Sequence, residues 1–489
     1  MKPVAYTHWI LLAGFLSGAS ALGYELIWTR LLALVLGHES LAVSGVLLGF
    51  FGGMALGAFV LDGPIRRSTR PAVWFIVLES VAALYALAAP FLIPTVSGLA
   101  PLDGSFASRI ALAGSLLLPA TFCMGATLVA LTHAYRRAYP QETRGRGLGK
   151  LYAANTLGAM IGVISSTHLV MPLLGMKTGS IVYAGAGLLA AGLAWIWLSG
   201  FVQAPAAPAL ETAPTEQAPM MVLLLLLTGF VGIGIQTVGL LILAQALNGT
   251  VYTFAHALAI FLLGTALGSA LYAWWIRSSA GKDPLAALML IYTASLLIGM
   301  MIVKRLPAGD SVQVGALQEA LWPALFFFVP SLCMGAIFAH LAGRRSGSIG
   351  KAYAVNTLGA ALAPLTLGVF AVSRWGFSKT MLGLAALLML LYLAGCRLGR
   401  IGWLRTVMGL VLLLSLFAFA PRSMVLLKPS AGWTRIDLKE GVMGAITVNE
   451  KNNQRSLRVN RNFFMGGRFS YGERRIGHLP LLVAPEATN

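Results

Sequence analysis

The residues best placed to do chemistry lie where charge is most expensive. Tyr24-Glu-Leu-Ile-Trp-Thr-Arg30 falls inside a long apolar run near the start of the chain, and Glu79 falls inside Phe75-Ile-Val-Leu-Glu-Ser-Val-Ala82. An ionisable side chain at membrane depth is costly and normally faces protein or water, so Tyr24, Glu25, Trp28, Arg30 and Glu79 are candidates for an intramembrane polar site. Glu25 and Arg30 are five residues apart, whereas helical neighbours meet at three or four, so Thr29 is the better neighbour for Glu25. The bland alternative is a structural ion pair, with Arg30 at a helix end. The corresponding stretch of the second half reads Thr237-Val-Gly-Leu-Leu-Ile-Leu-Ala-Gln245, so a charged site would belong to the first half alone. His133, His168, His256 and His340 also lie in or near apolar runs, where histidines more often pack and hydrogen-bond than ligate. Cys123, Cys333 and Cys396 form no CxxC and no Cys/His ligand spacing, which points to neither a disulfide framework nor a metal site.

What must position these groups is a bundle of membrane helices. Of 489 residues, 58% are hydrophobic and 10% charged, against about 25% charged in a soluble domain. The net charge of +19 does not argue for nucleic acid, because the basic residues sit between apolar runs, as the cytoplasmic loops of membrane proteins require. Runs of about 20 apolar residues place spans at 8–35, 41–61, 72–97, 109–134, 150–173 and 179–200, then at 220–246, 251–276, 284–303, 316–342, 351–373 and 379–397, with a thirteenth apolar run at 402–420.

The second set repeats the first. Gly14-Phe15 is matched with Gly229-Phe230, Gly53-Met-Ala-Leu-Gly57 with Gly264-Thr-Ala-Leu-Gly268, and Cys123-Met-Gly-Ala126 with Cys333-Met-Gly-Ala336. The clearest pair is Gly149-Lys-Leu-Tyr-Ala-Ala-Asn-Thr-Leu-Gly158 against Gly350-Lys-Ala-Tyr-Ala-Val-Asn-Thr-Leu-Gly359. In these boxes Asn155 and Asn356 are suited to bonding between close-packed helices, and Lys150 and Lys351 mark a helix end. Six spans per half gives parallel repeats. The expected fold is an all-α polytopic membrane protein of about 12–13 helices in two parallel six-helix repeats, with a small β-rich segment at the C-terminal end. The divisions are 1–200, a Pro- and Ala-rich linker at 201–219, 220–400, an extra apolar helix at 401–421, and 422–489. Arg66, Arg67, Arg70, Arg136, Arg137, Arg144, Arg146, Arg344 and Arg345 fall on one side, which puts the N-terminus in the cytoplasm and the protein in the plasma (inner) membrane. If the run at 402–420 crosses, the tail lies outside; if it re-enters, inside.

The tail alternates in Ala445-Ile-Thr-Val448 and Ser456-Leu-Arg-Val459, split by Asn452-Asn453, which predicts a β-hairpin. Glu440-Gly-x-x-Gly-x-Ile-x-Val448, Leu457-x-Val-Asn460 and Tyr471-x-Glu-Arg-Arg-x-Gly-His-Leu-Pro480 resemble the N-terminal β-region of spermidine synthases. With the Tyr24-Glu-x-x-Trp-x-Arg30, Gly-Lys-x-Tyr-Ala-x-Asn-Thr-Leu-Gly and Gly-x-Ala-Leu-Gly boxes, the whole chain resembles bacterial fused major-facilitator/spermidine-synthase membrane proteins. The resemblance implies a methyltransferase-like domain that binds decarboxylated S-adenosylmethionine and supplies a catalytic Asp. The sequence ends at Leu481–Asn489, where that domain would begin, so no catalytic residue is expected here and no cofactor unless a separate chain supplies the domain. Tyr471, Glu473 and His478 match the family, but Gly467-Arg468 stand where its acidic Asp-Glu pair belongs. The expected partners are the lipid bilayer and either a separate methyltransferase-like chain or a second copy. The expected role is the membrane component of a polyamine aminopropyltransferase-related system. The alternatives are a transporter or solute-binding protein with a polar site between the halves, and a structural subunit docking a partner through its basic tail.

Overall fold

The structure, a computed structural model, describes residues 4–36, 40–98, 106–140, 142, 144–198, 218–249, 251–276, 283–306, 314–344, 348–461 and 463–466. In lipid a backbone polar group finds no water, so each apolar run closes its hydrogen bonds internally as a helix. The first six are α1 (Val4–Leu36), α2 (Ser40–Arg67), α3 (Pro71–Gly98), α4 (Phe106–Ala138), α5 (Arg144–Ser165) and α6 (Met171–Leu198). The second six are α7 (Ala218–Leu243), α8 (Val251–Trp275), α9 (Leu285–Lys304), α10 (Ala316–Arg344), α11 (Ile349–Ala363) and α12 (Val372–Leu398). The linker residues 201–217 lie outside the described residues.

Among the described residues, ten continuous helical stretches are long and apolar enough to cross a bilayer. Two of them, Gly145–Leu198 with 54 residues and Ile349–Leu398 with 50, would each run about 75–80 Å if straight, far beyond a bilayer core of about 30 Å. Each instead holds a π-helical turn, Ser166–Val170 or Pro364–Ala371, followed by a glycine in the left-handed region, Gly175 (φ 75°) or Gly376 (φ 77°). A side chain at such a φ is strained, so glycine makes the reversal. The pairing along α1 traces it: Asn155 lies beside Gly14, Tyr183 beside Tyr24, and the Trp197 ring stacks on Trp9 at 4.8 Å. Ten stretches therefore make twelve passes.

The two halves repeat in packing as well as in sequence. In each, the first helix lies on the fifth and the second on the fourth (α1 on α5 and α2 on α4; α7 on α11 and α8 on α10), while α5–α8 and α2–α11 join the halves. Asn155 Nδ2 donates to Gly14 O at 3.1 Å, and Asn356 Nδ2 to Leu225 O at 2.9 Å. A Cβ added at Gly18 would sit 1.9 Å from Asn155 O, and at Gly229 2.0 Å from Asn356 O. Gly229 is thus the counterpart of Gly18, and Leu225 of Gly14. The expected match of Gly14-Phe15 with Gly229-Phe230 is one helical turn out of register, because a Gly-Phe pair recurs by composition while the interhelical contact is what fixes position.

Helix α13 (Trp403–Phe419) lies along α9 and α12. It begins beside Tyr392, whose hydroxyl donates to Arg405 O and Thr406 O, and it finishes near Ser378, whose hydroxyl donates to Pro421 O at 2.5 Å. Its 17 residues rise about 25 Å, so it traverses the bundle from the end that carries Arg66, Arg67, Arg136 and Arg344 to the far end. Met424, Val425, Leu426 and Leu427 then pack into the core of the second half, so the chain stays apolar past position 421, where the sequence turns polar. Gln245 grips this segment, accepting from Leu426 N and donating to Met424 O, and Lys304 donates to Val425 O at 2.7 Å. The tail ends in an antiparallel meander, β1 (Thr434–Gly441), β2 (Gly444–Lys451), β3 (Gln454–Val459) and β4 (Phe463–Gly466), in that order. The expected hairpin is β2–β3, turned by Asn452 and Asn453 at φ 52° and 62°. Glu440 of β1 accepts from Phe377 N at the Gly376 reversal and ties the sheet to α12.

Candidate functional site

Between the halves lies a cavity of about 1330 Å³, its mouth included. Its walls come in counterpart pairs: Phe50 and Phe261, Tyr152 and Tyr353, Asn155 and Asn356, Met124 and Met334. The pseudo-twofold relation of the repeats therefore runs through it. The main break in that symmetry is chemical. Glu25 lines the cavity seven residues after Gly18, and Gln236 lines it seven residues after Gly229. The counterpart of Tyr24–Arg30 is accordingly Ile235–Leu241, not Thr237–Gln245, and a polar amide stands where the first half has a carboxylate.

Glu25 is 7% exposed and has no hydrogen-bond or ion-pair partner among the described residues. Arg30 does not supply one, because its side chain is exposed. Thr29, the neighbour expected on spacing, makes no bond to it either. Helical geometry separates the other candidates from the cavity. Tyr24 and Trp28 are four residues apart and share the adjoining face of α1, turned from the cavity, where their rings stack at 5.2 Å. Tyr24 OH donates to Tyr183 O at 3.0 Å, and Trp28 meets Tyr85 edge-on at 5.7 Å. These two side chains join α1 to α3 and α6 and take no part in the cavity.

Glu79 on α3 is 3% exposed and stands one layer behind the wall. It accepts from Ser17 Oγ at 2.7 Å and Ser20 Oγ at 3.2 Å. Ser17 itself lines the cavity, so Glu79 reaches the site through a single hydroxyl. Ser17 links Glu79 to the cavity that Glu25 lines; the Tyr24 hydroxyl stands near Glu79 behind that wall, both lying against Gly187, while Trp28 and Arg30 are set apart. Asn155 and Asn356 have a double placement, with their amides on neighbouring helix carbonyls and their side chains at the cavity edge.

At the basic end the halves are clasped by a carboxylate that sequence reasoning missed. Asp62, 1% exposed at the close of α2, accepts from Ser348 Oγ at 2.6 Å and Gly350 N at 2.9 Å at the start of α11, with His133 Nε2 at 3.4 Å. A lone acid just before Gly63-Pro64 and a pair of arginines was the available signal. Lys150 bonds Glu142 at 2.8 Å, and Arg146 bonds the same carboxylate at 3.0 Å. Burial pushes the Glu142 carboxyl up, but the bonds from Lys150 and Tyr135 and the nearby cations outweigh it and hold it below its usual range. His340 and Arg344 converge on Asp283 in the second half. Lys351 lies at the start of α11, and its backbone N–H donates to Ser348 Oγ at 3.0 Å. Cys123, Cys333 and Cys396 are free and buried. Tyr471, Glu473 and His478 lie outside the described residues.

No family model matches the chain. Polyamine aminopropyltransferase of Mycobacterium tuberculosis (strain CDC 1551 / Oshkosh) is 29% identical over 181 residues, which is 37% of this chain and 34% of that protein. The protein of the same name from Mycobacterium bovis gives the same figures. The chain thus matches about a third of the length of these curated relatives. The matched 181 residues outnumber the 68 residues (422–489) after position 421, so the likeness includes membrane helices. Among solved structures, a single-site variant of the Escherichia coli fucose:proton symporter FucP superposes with a TM-score of 0.51 at 15% identity, covering 81% of this chain and 99% of that one. The nucleoside transporter NupG gives 0.50 at 12%, covering 81% and 99%. The fold is that of the major-facilitator transporters, a polytopic membrane fold.

Proposed function

We propose that the chain is an alternating-access transporter whose central cavity takes an amphipathic organic monocation, with Glu25 as its counter-charge. One observation carries this reading: a 7% exposed carboxylate lines an otherwise largely apolar and aromatic cavity and has no partner among the described residues. A buried carboxylate without a counter-charge is costly, so a proton or a solute cation must meet it. Phe50, Phe51, Tyr152, Phe254, Phe261 and Tyr353 supply aromatic faces to the cavity, which suit a cation bearing an apolar body. A cation held about 4 Å from Glu25 gains about 4 kcal/mol at an effective dielectric constant of about 20, roughly a thousandfold in affinity before desolvation. Proton binding at Glu25 in the absence of solute would let the empty carrier return. With the positive-inside rule, the basic end is cytoplasmic, the N-terminus inside, and the sheet outside.

The charge count discriminates between substrates. A polyamine brings several ammonium groups, and one cavity carboxylate meets only one of them, because Glu79 stands behind Ser17. The test is calorimetric binding of phenyltrimethylammonium and of neutral tert-butylbenzyl alcohol to the purified chain in nanodiscs. The cation should bind at least about tenfold more tightly, and Glu25→Gln should abolish the difference. Equal affinity for both solutes in the unsubstituted chain would contradict the reading.

A second reading is favoured by the likeness to polyamine aminopropyltransferase. Here the helices form the membrane component of an aminopropyl-transfer system, and decarboxylated S-adenosylmethionine is bound by a methyltransferase-like partner docked on the tail near Tyr471, Glu473 and His478. Copurification of such a partner from native membranes would support it. A chain recovered without one, yet binding organic monocations, would leave the transporter reading alone.

A further inference from the structure

The α5–α8 seam carries a second cluster, distinct from the cavity and from the basic-end clasp. His168 lies in the π-helical turn Ser166–Val170 that follows α5, and His256 lies in the second turn of α8. They belong to different halves and are 88 residues apart in sequence, yet their Nε2 atoms stand 3.1 Å from one another. The ring centres are 5.0 Å apart with planes inclined by 25°, and the ring of Tyr252 packs on His168 at 5.1 Å. His168 is exposed and His256 half-buried. The π turn is what aims His168: its wider winding rotates the side chain off the run of α5 and onto α8.

We propose that His168 and His256 form a two-histidine site for one late first-row transition-metal ion, of the zinc, nickel or copper type, which ties the far ends of the two halves together. The geometry carries it. A metal bound about 2.1 Å from each imidazole nitrogen, across their observed 3.1 Å separation, subtends about 95°, between octahedral and tetrahedral ligation. The ring centres are closer than two rings placed end to end along a straight N–H···N bond would be, so the two lone pairs converge beside the line joining the nitrogens. Imidazole is the donor these ions share, and the exposed side of His168 leaves room for water to complete the coordination.

Neighbouring groups set the strength of the site. Glu319 on α10 is an acid whose charge acts on His256, but its carboxylate already accepts from Asn248 N at 2.9 Å and Thr253 Oγ1 at 2.5 Å, so it is not a ligand. His256 Nδ1 is buried with no acceptor among the described residues. The outer hydrogen bond that stiffens a resident-metal histidine is therefore missing, and binding is reversible and sensitive to free metal. Since one ligand comes from each half, an ion here resists separation of the halves at this end. The inference does not rest on the identity of the transported solute.

The test uses the full chain in nanodiscs with Cu²⁺ as a spectroscopic probe and Zn²⁺ as competitor. One equivalent of Cu²⁺ should give an electron paramagnetic resonance spectrum with nitrogen hyperfine structure from two imidazoles, displaced by Zn²⁺. His168→Gln and His256→Gln should each weaken binding about tenfold or more. Zn²⁺ should raise the melting temperature of the unsubstituted chain and leave that of both variants unchanged. A spectrum without two imidazole nitrogens overturns the proposal whether or not the variants fold. So does binding that survives in both variants, which would place the metal on other histidines.

Discussion

Gly57 and Gly268 offer the sharpest test of how the two halves are built. A Cβ at Gly57 would lie 1.8 Å from Phe122 O, and one at Gly268 1.9 Å from Leu332 O. Ordinary contact begins near 3.4 Å, so alanine at either position must drive α2 from α4, or α8 from α10, by about 1.5 Å. A radial gap of about 1 Å already forfeits up to half of a dispersion well, and these helices share long contact faces. The expected loss is about 2–3 kcal/mol, the upper part of the overpacking range, because the obstacle is backbone and cannot rotate away. Gly52 lies on the same helix as Gly57 with nothing within 4 Å of an added Cβ. There alanine should stabilise by up to about 1 kcal/mol through helix propensity. Melting followed by fluorescence-detected size exclusion should therefore give opposite signs: Gly57→Ala and Gly268→Ala fall by several degrees, while Gly52→Ala holds or rises. The double variant Gly57→Ala/Gly268→Ala should be close to additive, the sites being in separate halves. Gly57→Ala melting at or above Gly52→Ala would refute the close approach of α2 and α4, and with it the repeat geometry.

Asp62→Ala leaves the Gly350 N–H and Ser348 hydroxyl without their acceptor, and should cost about 1–3 kcal/mol, read as a lower melting temperature. Burial pushes the Asp283 carboxyl up, but the bonds from His340, Leu285 N and Arg344 outweigh it and hold it well below the usual range. A depressed carboxyl contributes stability that is complete above its unfolded value of about 3.9 and is lost as pH falls through its folded value. The melting difference between the unsubstituted chain and Asp283→Asn should thus shrink as the pH falls below about 3.9. Gln245→Ala removes both bonds to the Met424–Leu426 segment, and should raise hydrogen exchange there while leaving α1–α6 unchanged.

The helices were legible because their signal is one of length and hydropathy: the span expected at 251–276 is found at Val251–Trp275, and 402–420 at Trp403–Phe419. The face each helix turns to the cavity was not legible. Lipid and protein neighbours are both apolar, so nothing in Tyr24-Glu25 says that one points to α6 and the other to the cavity. Gln236 becomes the counterpart of Glu25 once Gly18 and Gly229, and not the two Gly-Phe pairs, set the register of the repeat. Asp62 with Ser348, and His168 with His256, are pairings across the seam between halves, which local spacing cannot express. Charge alone does not decide whether α13 crosses; the contacts of Tyr392 at one end and Ser378 at the other do.

The most direct measurement of the central claim is cation–proton exchange in proteoliposomes loaded with a pH-sensitive dye. Phenyltrimethylammonium added to the unsubstituted chain should enter in exchange for protons and alkalinise the lumen saturably, which tert-butylbenzyl alcohol should not do, and Glu25→Gln, folded and reconstituted to the same density, should give no exchange. Undiminished exchange by Glu25→Gln would contradict the assignment of Glu25 as the counter-charge of the transported cation.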